Sequence, residues 1–323
     1  MDTLIRFGFA QKVRGQIVKL DRSWPPLARH HQRYGERDVP PTVRERLGEL
    51  SAAGLLLAAS LKFDGSLLLQ IQGSGPARLF VAECHADSRF RATVKLDDQA
   101  AIPHDASFND LVNPDNRGRF VVTLIPPVST SGEGTGLDTP YQGIIPFEGD
   151  TVAEVLEHYM SLSEQIPTRL WLAADENAVF GLLLQMMPTR GDEGAPDEQE
   201  SLLTWEQVQT LADTLTRTEM LTLKPEEILR RLFWDTEIRV YDQRVPRFEC
   251  SCSRDKVGGM LKMLGEEEVR SILDEHQQRI QVNCEFCREP YVFDQAEAMA
   301  LFDKPSAEDS DKTPASDGRT DTH

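Results

Sequence analysis

Four of the five cysteines lie in two short pairs near the C-terminal end of the 323-residue chain. Cys250 and Cys252 stand one residue apart in RFECSCSRDK, and Cys284 and Cys287 stand two residues apart in VNCEFCREPY. Two close pairs can bring four thiolates to one tetrahedral ion while ordering little chain, and four thiolates are the donor set of a structural zinc site. The spacing therefore predicts one zinc ion per chain, bound by Cys250, Cys252, Cys284 and Cys287.

The same spacing leaves other interpretations open. The first pair has one intervening residue instead of two, and the 31 residues between the pairs exceed the usual ribbon gap, so four unrelated buried thiols are the alternative. A disulfide between Cys250 and Cys252 would close a very small, strained ring. Because a strained disulfide is easily reduced, it suits a reversible switch better than a permanent structural cross-link. Arg254, Lys256 and Arg288 either offset the charge of a four-thiolate centre or only add surface solubility.

The composition limits the partners of such a site. The formal net charge of −18 repels phosphate backbones, so we expect no nucleic-acid partner. The N-terminus lacks a secretory pattern and no run reaches the ~18 apolar residues that span a bilayer, so we expect a cytoplasmic protein with no membrane partner and reduced thiols. Five arginines between positions 29 and 46, beside His30 and His31, are interpreted as solvated surface.

Hydrophobic patterns predict an α+β fold with an N-terminal β-sheet domain and packed helices, a metastable helical linker and a small C-terminal zinc-binding domain. Alternation predicts a hairpin in SLLLQIQ and ARLFVAEC, a second in TRLWLAADENAVFGLLLQM, and a strand in RFVVTLIP. Helices are predicted over PTVRERLGELSAAGLLLAASLK and TVAEVLEHYMSL, the latter with Thr151 and Glu154 as a capping box and Leu162 on its apolar face. Cys84, beside His85, is interpreted as a structural cysteine at a strand end.

Changes in composition set the predicted domain boundaries. Residues 1–190 form the N-terminal domain, an acidic stretch opens a linker over 191–244, the zinc domain covers 245–303, and the polar tail 304–323 is expected to be disordered. Linker helices are predicted in TWEQVQTLADTLT, with Thr204 and Gln207 as a capping box, and in PEEILRRLFWD. In the zinc domain, DKVGGMLKML and GEEEVRSILDEH predict helices, and two strands flank the second cysteine pair. The Ser- and Gly-rich run 129–136 lacks the Gly-Lys-Ser/Thr of a phosphate loop, so we expect no use of ATP.

Several segments together resemble one family. CSC, the 31-residue insert and CEFC resemble the cysteine region of the redox-regulated heat-shock 33 kDa chaperonin family. LKFDGSLLLQIQGSGP, YQGIIPFEGDT, SEQIPTRLWL and GLLLQMMP resemble its N-terminal domain, and EEVRSIL resembles the insert. The resemblance covers residues 4 to 303 and departs from the family at Cys84, at the acidic stretch 191–200 and in the tail, none of which includes the four ligands.

The resemblance implies an ATP-independent holdase and not an enzyme. The reduced, zinc-bound form would be inactive, and oxidation would form the disulfides Cys250–Cys252 and Cys284–Cys287 and release the zinc. The linker would then unfold, and the protein would hold unfolding client proteins during oxidative stress. It would be a monomer when reduced and a homodimer when oxidised, and it would pass its clients to ATP-dependent foldase chaperones.

Apolar linker residues are the candidates for the client-binding surface. Short helices are marginal alone, so most of their stability must come from docking on a neighbour, and release would expose their apolar side chains. The candidates are Leu211, Leu215, Ile228, Leu232, Phe233 and Trp234. The alternative is that these residues are core in both states.

Two other classes of function stay open. One is a zinc-ribbon accessory protein that acts on RNA or DNA, against which the net charge argues. The other is a hydrolytic zinc enzyme, which needs an open coordination position that four cysteines would close.

Overall fold

The structure is a computed structural model that describes residues 1–9, 13–34, 37–61, 65–127, 139–187 and 198–302. The run 129–136, most of the acidic stretch that opens the predicted linker, and the tail 304–323 lie outside the described residues. The chain divides into two compact units, Met1–Cys250 and a second that begins at Ser251. The domain boundaries drawn from composition stay predictions.

The α+β class predicted from the sequence is confirmed, with helices packed on mainly antiparallel sheets. In chain order the described strands are β1 (Thr3–Phe9), β2 (Val13–Leu20), β3 (Arg33–Tyr34), β4 (Arg37–Asp38), β5 (Ser66–Gln72), β6 (Ala77–His85), β7 (Arg89–Leu96), β8 (Arg119–Ile125), β9 (Tyr141–Pro146), β10 (Thr168–Ala174), β11 (Val179–Met186), β12 (Arg239–Arg244), β13 (Arg247–Phe248), β14 (Arg279–Asn283) and β15 (Pro290–Asp294). The described helices are α1 (Trp24–His30), α2 (Pro41–Ser60), α3 (Phe108–Val112), α4 (Val152–Tyr159), α5 (Glu198–Ala212), α6 (Arg217–Thr222), α7 (Pro225–Leu232), α8 (Arg254–Leu264), α9 (Glu266–Glu275) and α10 (Gln295–Ala300). None of these described helices is long and apolar enough to cross a membrane.

Two large sheets organise the described part of the first unit. One has the strand order β10-β11-β2-β1-β12 and the other the order β13-β7-β6-β5-β8-β9. Neighbouring strands are antiparallel except for β13 and β7, which are parallel. The predicted hairpins β5–β6 and β10–β11 are present, each with its strands in antiparallel register.

Helix α2 lies at the centre of the first unit and packs against strands of both large sheets. Every residue from Leu47 to Ala59 is buried, as expected for a helix that is apolar on all sides. Pro41 stands in the first turn, where its missing N–H leaves no hydrogen bond unmade. The helix therefore joins the two sheets into one core.

Cys84 lies at the end of β6 against α2, which confirms its interpretation as a structural cysteine. Its side chain is fully buried, and a Cβ added at Gly54 would come within 2.7 Å of its sulfur. Burial raises the pKa of the Cys84 thiol above its usual range, so the group stays protonated and unreactive.

The five-stranded sheet is buried on both faces because the side chains of its strands alternate between two cores. On β1, Leu4 points into the core around α2, whereas Ile5, Phe7 and Phe9 point to the opposite face. The linker helices α5, α6 and α7 cover that opposite face. The residues of these helices and of the turn between α5 and α6 that are buried in this second core are Trp205, Val208, Ala212, Leu215, Met220, Ile228, Leu229 and Leu232.

Three details of the predicted helices are wrong at their ends. Residues Met160–Glu164 form a π-helical turn after α4, and the wider turn changes the facing direction, so that Leu162 is 58% exposed. Helix α5 begins at Glu198, because the Glu, Gln and Leu residues before Thr204 are good helix formers, so Thr204 is no N-cap. Thr151 does cap α4 by accepting from the Glu154 N–H, but the Glu154 carboxylate accepts from the Asp150 N–H instead of completing the box.

The basic stretch at 29–46 is only in part the solvated surface that was predicted. His31 is 1% exposed, and Arg46 forms a 2.7 Å ion pair with the buried Glu49. The sequence predicted solvated surface for this basic stretch because charge alone does not show that α2 is buried along most of its length. Both Arg46 and Glu49 lie on α2.

Over its described residues, 251–302, the second unit is a small fold of three helices and one hairpin. Helices α8 and α9 and strands β14 and β15 lie where they were predicted, and α10 follows directly. One small core holds them together, with the buried side chains Leu261, Val269, Leu273, Ile280, Phe293 and Ala298.

Candidate metal centre

The four paired cysteines come together in the structure. One sulfur from each of Cys250, Cys252, Cys284 and Cys287 lies within 4.8 Å of the others, and all four residues are half-buried. The sulfurs of Cys252 and Cys287, one from each motif, lie 3.4 Å apart. All five cysteines are free thiols in this structure. The four could together hold a metal ion.

The second pair forms the turn of a hairpin. Strand β14 ends just before Cys284, and β15 begins at Pro290. The Cys284 N–H donates to the Glu289 carbonyl at 2.9 Å, and the Arg288 N–H donates to the Cys284 carbonyl at 2.8 Å. Arg288 takes a left-handed backbone with φ of 60°, which lets the chain fold back over its cysteines.

The first pair follows β13, which runs parallel to β7. The Glu249 N–H donates to the Phe90 carbonyl at 3.0 Å, and Arg89 forms a 2.9 Å ion pair with Glu249. These contacts place Cys250 beside β7, where the Arg91 side chain bonds it. Burial lowers the pKa of Arg91, but hydrogen bonds to Glu83 and Cys250 outweigh it, so this pKa is raised.

A tyrosine hydroxyl also reaches the cluster. Tyr291 Oη lies 3.0 Å from Cys252 Sγ and donates to it. The hydrogen bond to Cys252 raises the pKa of the Tyr291 hydroxyl above its usual range, so it stays a neutral donor. Sequence reasoning missed both Tyr291 and Arg91. Tyr291 follows the second pair closely, whereas Arg91 is 159 residues before Cys250 and only the fold brings them together.

Three cationic side chains near the cysteines, those of Arg254, Lys256 and Arg288, each contact a group other than a cysteine sulfur. Arg254 pairs with Glu297 at 2.8 Å and lies over the Phe293 ring. Lys256 donates to the Ser251 carbonyl at 2.5 Å, and Arg288 lies 3.7 Å from a carboxylate oxygen of Glu285.

The linker candidates are docked on the five-stranded sheet, with one exception. Leu215, Ile228, Leu232 and Phe233 are buried in the second core, and Leu211 is partly buried against it. Trp234 is 79% exposed, so the expectation that it is docked is wrong. Helix α7 ends at Leu232, and the turn after it directs Phe233 and Trp234 to opposite environments.

Polar contacts add to this docking. Lys19 on β2 is buried and donates to the Met220 carbonyl at 2.6 Å. The Trp171 indole N–H donates to Asp213 at 3.0 Å, and Arg217 forms a 3.2 Å ion pair with Glu45 of α2. The linker is therefore held by an apolar face and by a few charge-bearing contacts, each of which can be tested separately.

Comparison with known proteins places the chain in one family. The family model described as Hsp33 protein matches residues 2–294. A protein named 33 kDa chaperonin from Methylobacillus flagellatus is 44% identical over 93% of this chain and 94% of its own length. Proteins of the same name from Neisseria meningitidis serogroup A and Chromobacterium violaceum are each 41% identical, over 93% and 94% of this chain and 91% and 94% of their own lengths.

A solved structure shares the fold. The crystal structure of the 33 kDa chaperonin of Thermotoga maritima matches with a TM-score of 0.70 and 23% identity, covering 92% of this chain and 97% of that one. At this identity the match supports the fold alone. The family model and the relatives named above lead to one conclusion: the chain belongs to the Hsp33 family of chaperones.

Proposed function

We propose that this protein is an ATP-independent holdase whose four-cysteine site is a redox switch. The observation that carries the proposal is the convergence of Cys250, Cys252, Cys284 and Cys287, in a member of a chaperone family whose linker helices lie docked on a sheet. In the reduced state the apolar linker face is covered and not available to clients.

The four cysteines fit a zinc ion. Zinc–sulfur bonds of ~2.3 Å in a tetrahedron place the sulfurs about 3.8 Å apart. The sulfurs here all lie within 4.8 Å of one another, so small movements would bring them to that distance. Bound zinc would supply a fixed link between the two motifs. Cys250, Cys252, Cys284 and Cys287 would hold it as thiolates.

The switch is the oxidation of these thiolates by a peroxide. Each disulfide forms when two thiolates lose two electrons, while one hydrogen peroxide takes up those electrons and two protons and becomes two waters. We propose the pairs Cys250–Cys252 and Cys284–Cys287. Such bonds close tiny loops and restrain the chain little, and they leave the two motifs without the metal link.

The second unit depends most on that link. Its core has only a few buried apolar side chains, and units of this size are marginal without a metal or another staple. Structural zinc in small peptides contributes ~10–16 kcal/mol of apparent binding free energy. Whole domains are stable by ~5–15 kcal/mol. Loss of the site can therefore unfold this unit.

Unfolding of the second unit then destabilises the preceding segment of the chain, toward the linker. Cys250 lies two residues after β13, which is joined through β12 to α7. Once this segment is freed, the short linker helices would lose part of their support and leave the sheet. Their apolar residues would then bind clients. We infer that the oxidised protein is a homodimer that passes its clients to ATP-dependent foldases.

The test compares reduced, zinc-loaded protein with peroxide-treated protein. Light scattering follows the aggregation of a chemically denatured client such as citrate synthase, and metal content and sedimentation are measured in parallel. We expect one zinc per reduced chain, and suppression of aggregation only after oxidation and zinc loss. Cys252→Ser should bind zinc poorly, and Cys84→Ala, the matched control, should behave like the wild type.

Three results would count against the proposal. Equal protection by reduced and oxidised protein would contradict the switch, and salt-dependent RNA binding by the reduced form would favour the nucleic-acid alternative. Peptide mapping tests the pairing. The 3.4 Å approach of Cys252 and Cys287 makes a crossed disulfide accessible, and finding it would refute the proposed pairs.

A further inference from the structure

Tyr291 connects the two cysteine motifs. It is the second residue of β15 and lies opposite Val282 of β14, so it belongs to the hairpin whose turn carries Cys284 and Cys287. Its hydroxyl donates at 3.0 Å to Cys252, which belongs to the other motif. Its ring packs against the small core of the second unit. The hydroxyl is thus held in place by the hairpin and by the core.

We propose that Tyr291 is a positioning residue of the metal centre, whose hydroxyl holds the Cys252 thiolate in its ligating orientation and sets how tightly the site retains its ion. The proposal rests on the proposed zinc site. A neutral hydroxyl that donates to a thiolate makes a charge-assisted hydrogen bond, which stabilises the anion that a metal requires. It also takes up part of the sulfur's charge, as outer-shell donors do at other metal sites.

The geometry gives this hydrogen bond a second consequence. Cys252 approaches Cys287 to 3.4 Å while Tyr291 bonds the same sulfur. The hydroxyl therefore keeps the Cys252 sulfur beside the second motif instead of leaving it free to turn away. Losing the hydroxyl would loosen one of the four ligands and speed the release of the ion.

The test removes the hydroxyl and keeps the ring. Tyr291→Phe is compared with wild type and with Tyr141→Phe, which removes an equally simple hydroxyl from an exposed side chain on β9 of the first unit. Zinc affinity is measured by competition with a chelator. We expect Tyr291→Phe to weaken binding by about 10- to 100-fold, the usual effect of losing an outer-shell partner, and Tyr141→Phe to have no effect.

Cobalt substitution distinguishes the hydrogen bond of the Tyr291 hydroxyl from a purely structural role of its ring. The sulfur-to-cobalt charge-transfer bands report the charge on the ligating sulfurs, so Tyr291→Phe should shift them and Tyr141→Phe should not. Replacing the five tyrosines by 3-fluorotyrosine makes the hydroxyl a stronger donor and should move the bands in the opposite direction. This second measurement keeps the native side-chain shape, and it decides the matter if Tyr291→Phe fails to fold.

The outcomes separate the two proposals. A wild type that binds no metal would refute the zinc site itself. A wild type that binds zinc through its four cysteines, with affinity and bands unchanged in Tyr291→Phe or in the fluorotyrosine protein, would refute only the role of Tyr291.

Discussion

Phe233→Ala should release the linker without any oxidation. Phe233 follows α7 and is 2% exposed. Its ring centroid lies 4.8 Å from that of Phe9, edge to face, and 6.3 Å from that of Phe7. Both partners stand on β1, so this one side chain joins the linker to the sheet.

The size of the effect follows from the burial. Replacing a buried phenylalanine by alanine costs about 3–5 kcal/mol, because apolar contacts are lost and a cavity remains. The opposite face of the sheet is packed on α2, so the lost free energy mainly weakens the docking of the linker on the sheet. Since each 1.4 kcal/mol is a factor of ten, the docking equilibrium should shift by roughly a hundred- to several-thousand-fold toward release.

The assay uses reduced, zinc-loaded protein. Hydrogen exchange over residues 200–240 should speed up, and the variant should suppress client aggregation without peroxide. Trp234→Ala is the matched control, since the neighbouring ring is 79% exposed and its loss should leave exchange unchanged.

Two results would refute this reasoning. If Phe233→Ala and Trp234→Ala exchange alike while zinc stays bound, Phe233 does not hold the linker. If the linker is released but aggregation is not suppressed, the covered apolar face is not the client-binding surface.

Two further predictions concern buried charges, each measured as the free energy of unfolding against pH. Burial lowers the pKa of Lys19 to about 8, against the attraction of Asp21 and Asp175, so the unfolded chain binds more protons above pH 8. The free energy of unfolding should therefore rise by up to about 3 kcal/mol between pH 8 and 10.5 relative to Lys19→Met. If the free energy of unfolding has the same pH dependence in both proteins, Lys19 is not desolvated. Burial raises the pKa of Glu49 to about 7, against the attraction of Arg46. Between pH 4.5 and 7 the folded chain therefore binds more protons than the unfolded chain, and the free energy of unfolding should fall by up to about 3 kcal/mol as the pH rises through this range. Glu49→Gln should remove this slope, and an unchanged slope would assign it to other groups.

Local spacing was sufficient to locate several of the elements and the four cysteines. Alternation located the hairpins β5–β6 and β10–β11, and helical spacing located α4, α5 and α7, because these patterns depend on which side chains share a face over a few residues. The paired cysteines were recognisable for the same reason. Two thiols one or two residues apart can reach one ion whatever the rest of the chain does.

Tertiary structure decided what each element touches. The sequence did not show that the five-stranded sheet is covered on both faces, that Arg46 pairs with a buried carboxylate, or that Phe233 is buried while its neighbour Trp234 is exposed. Each of these depends on the element that packs opposite the residue, and that element is distant in sequence.

The four-cysteine cluster shows the same division. The four cysteines are grouped in the sequence, but the Tyr291 hydroxyl and the Arg91 guanidinium reach Cys252 and Cys250 only because strands β15 and β7 place them there. A sequence pattern reports neighbours along the chain, whereas a hydrogen bond to a cysteine sulfur depends on atoms about 3 Å apart in space. The sequence therefore indicated which residues could hold a metal ion, and the fold decided which side chains surround them.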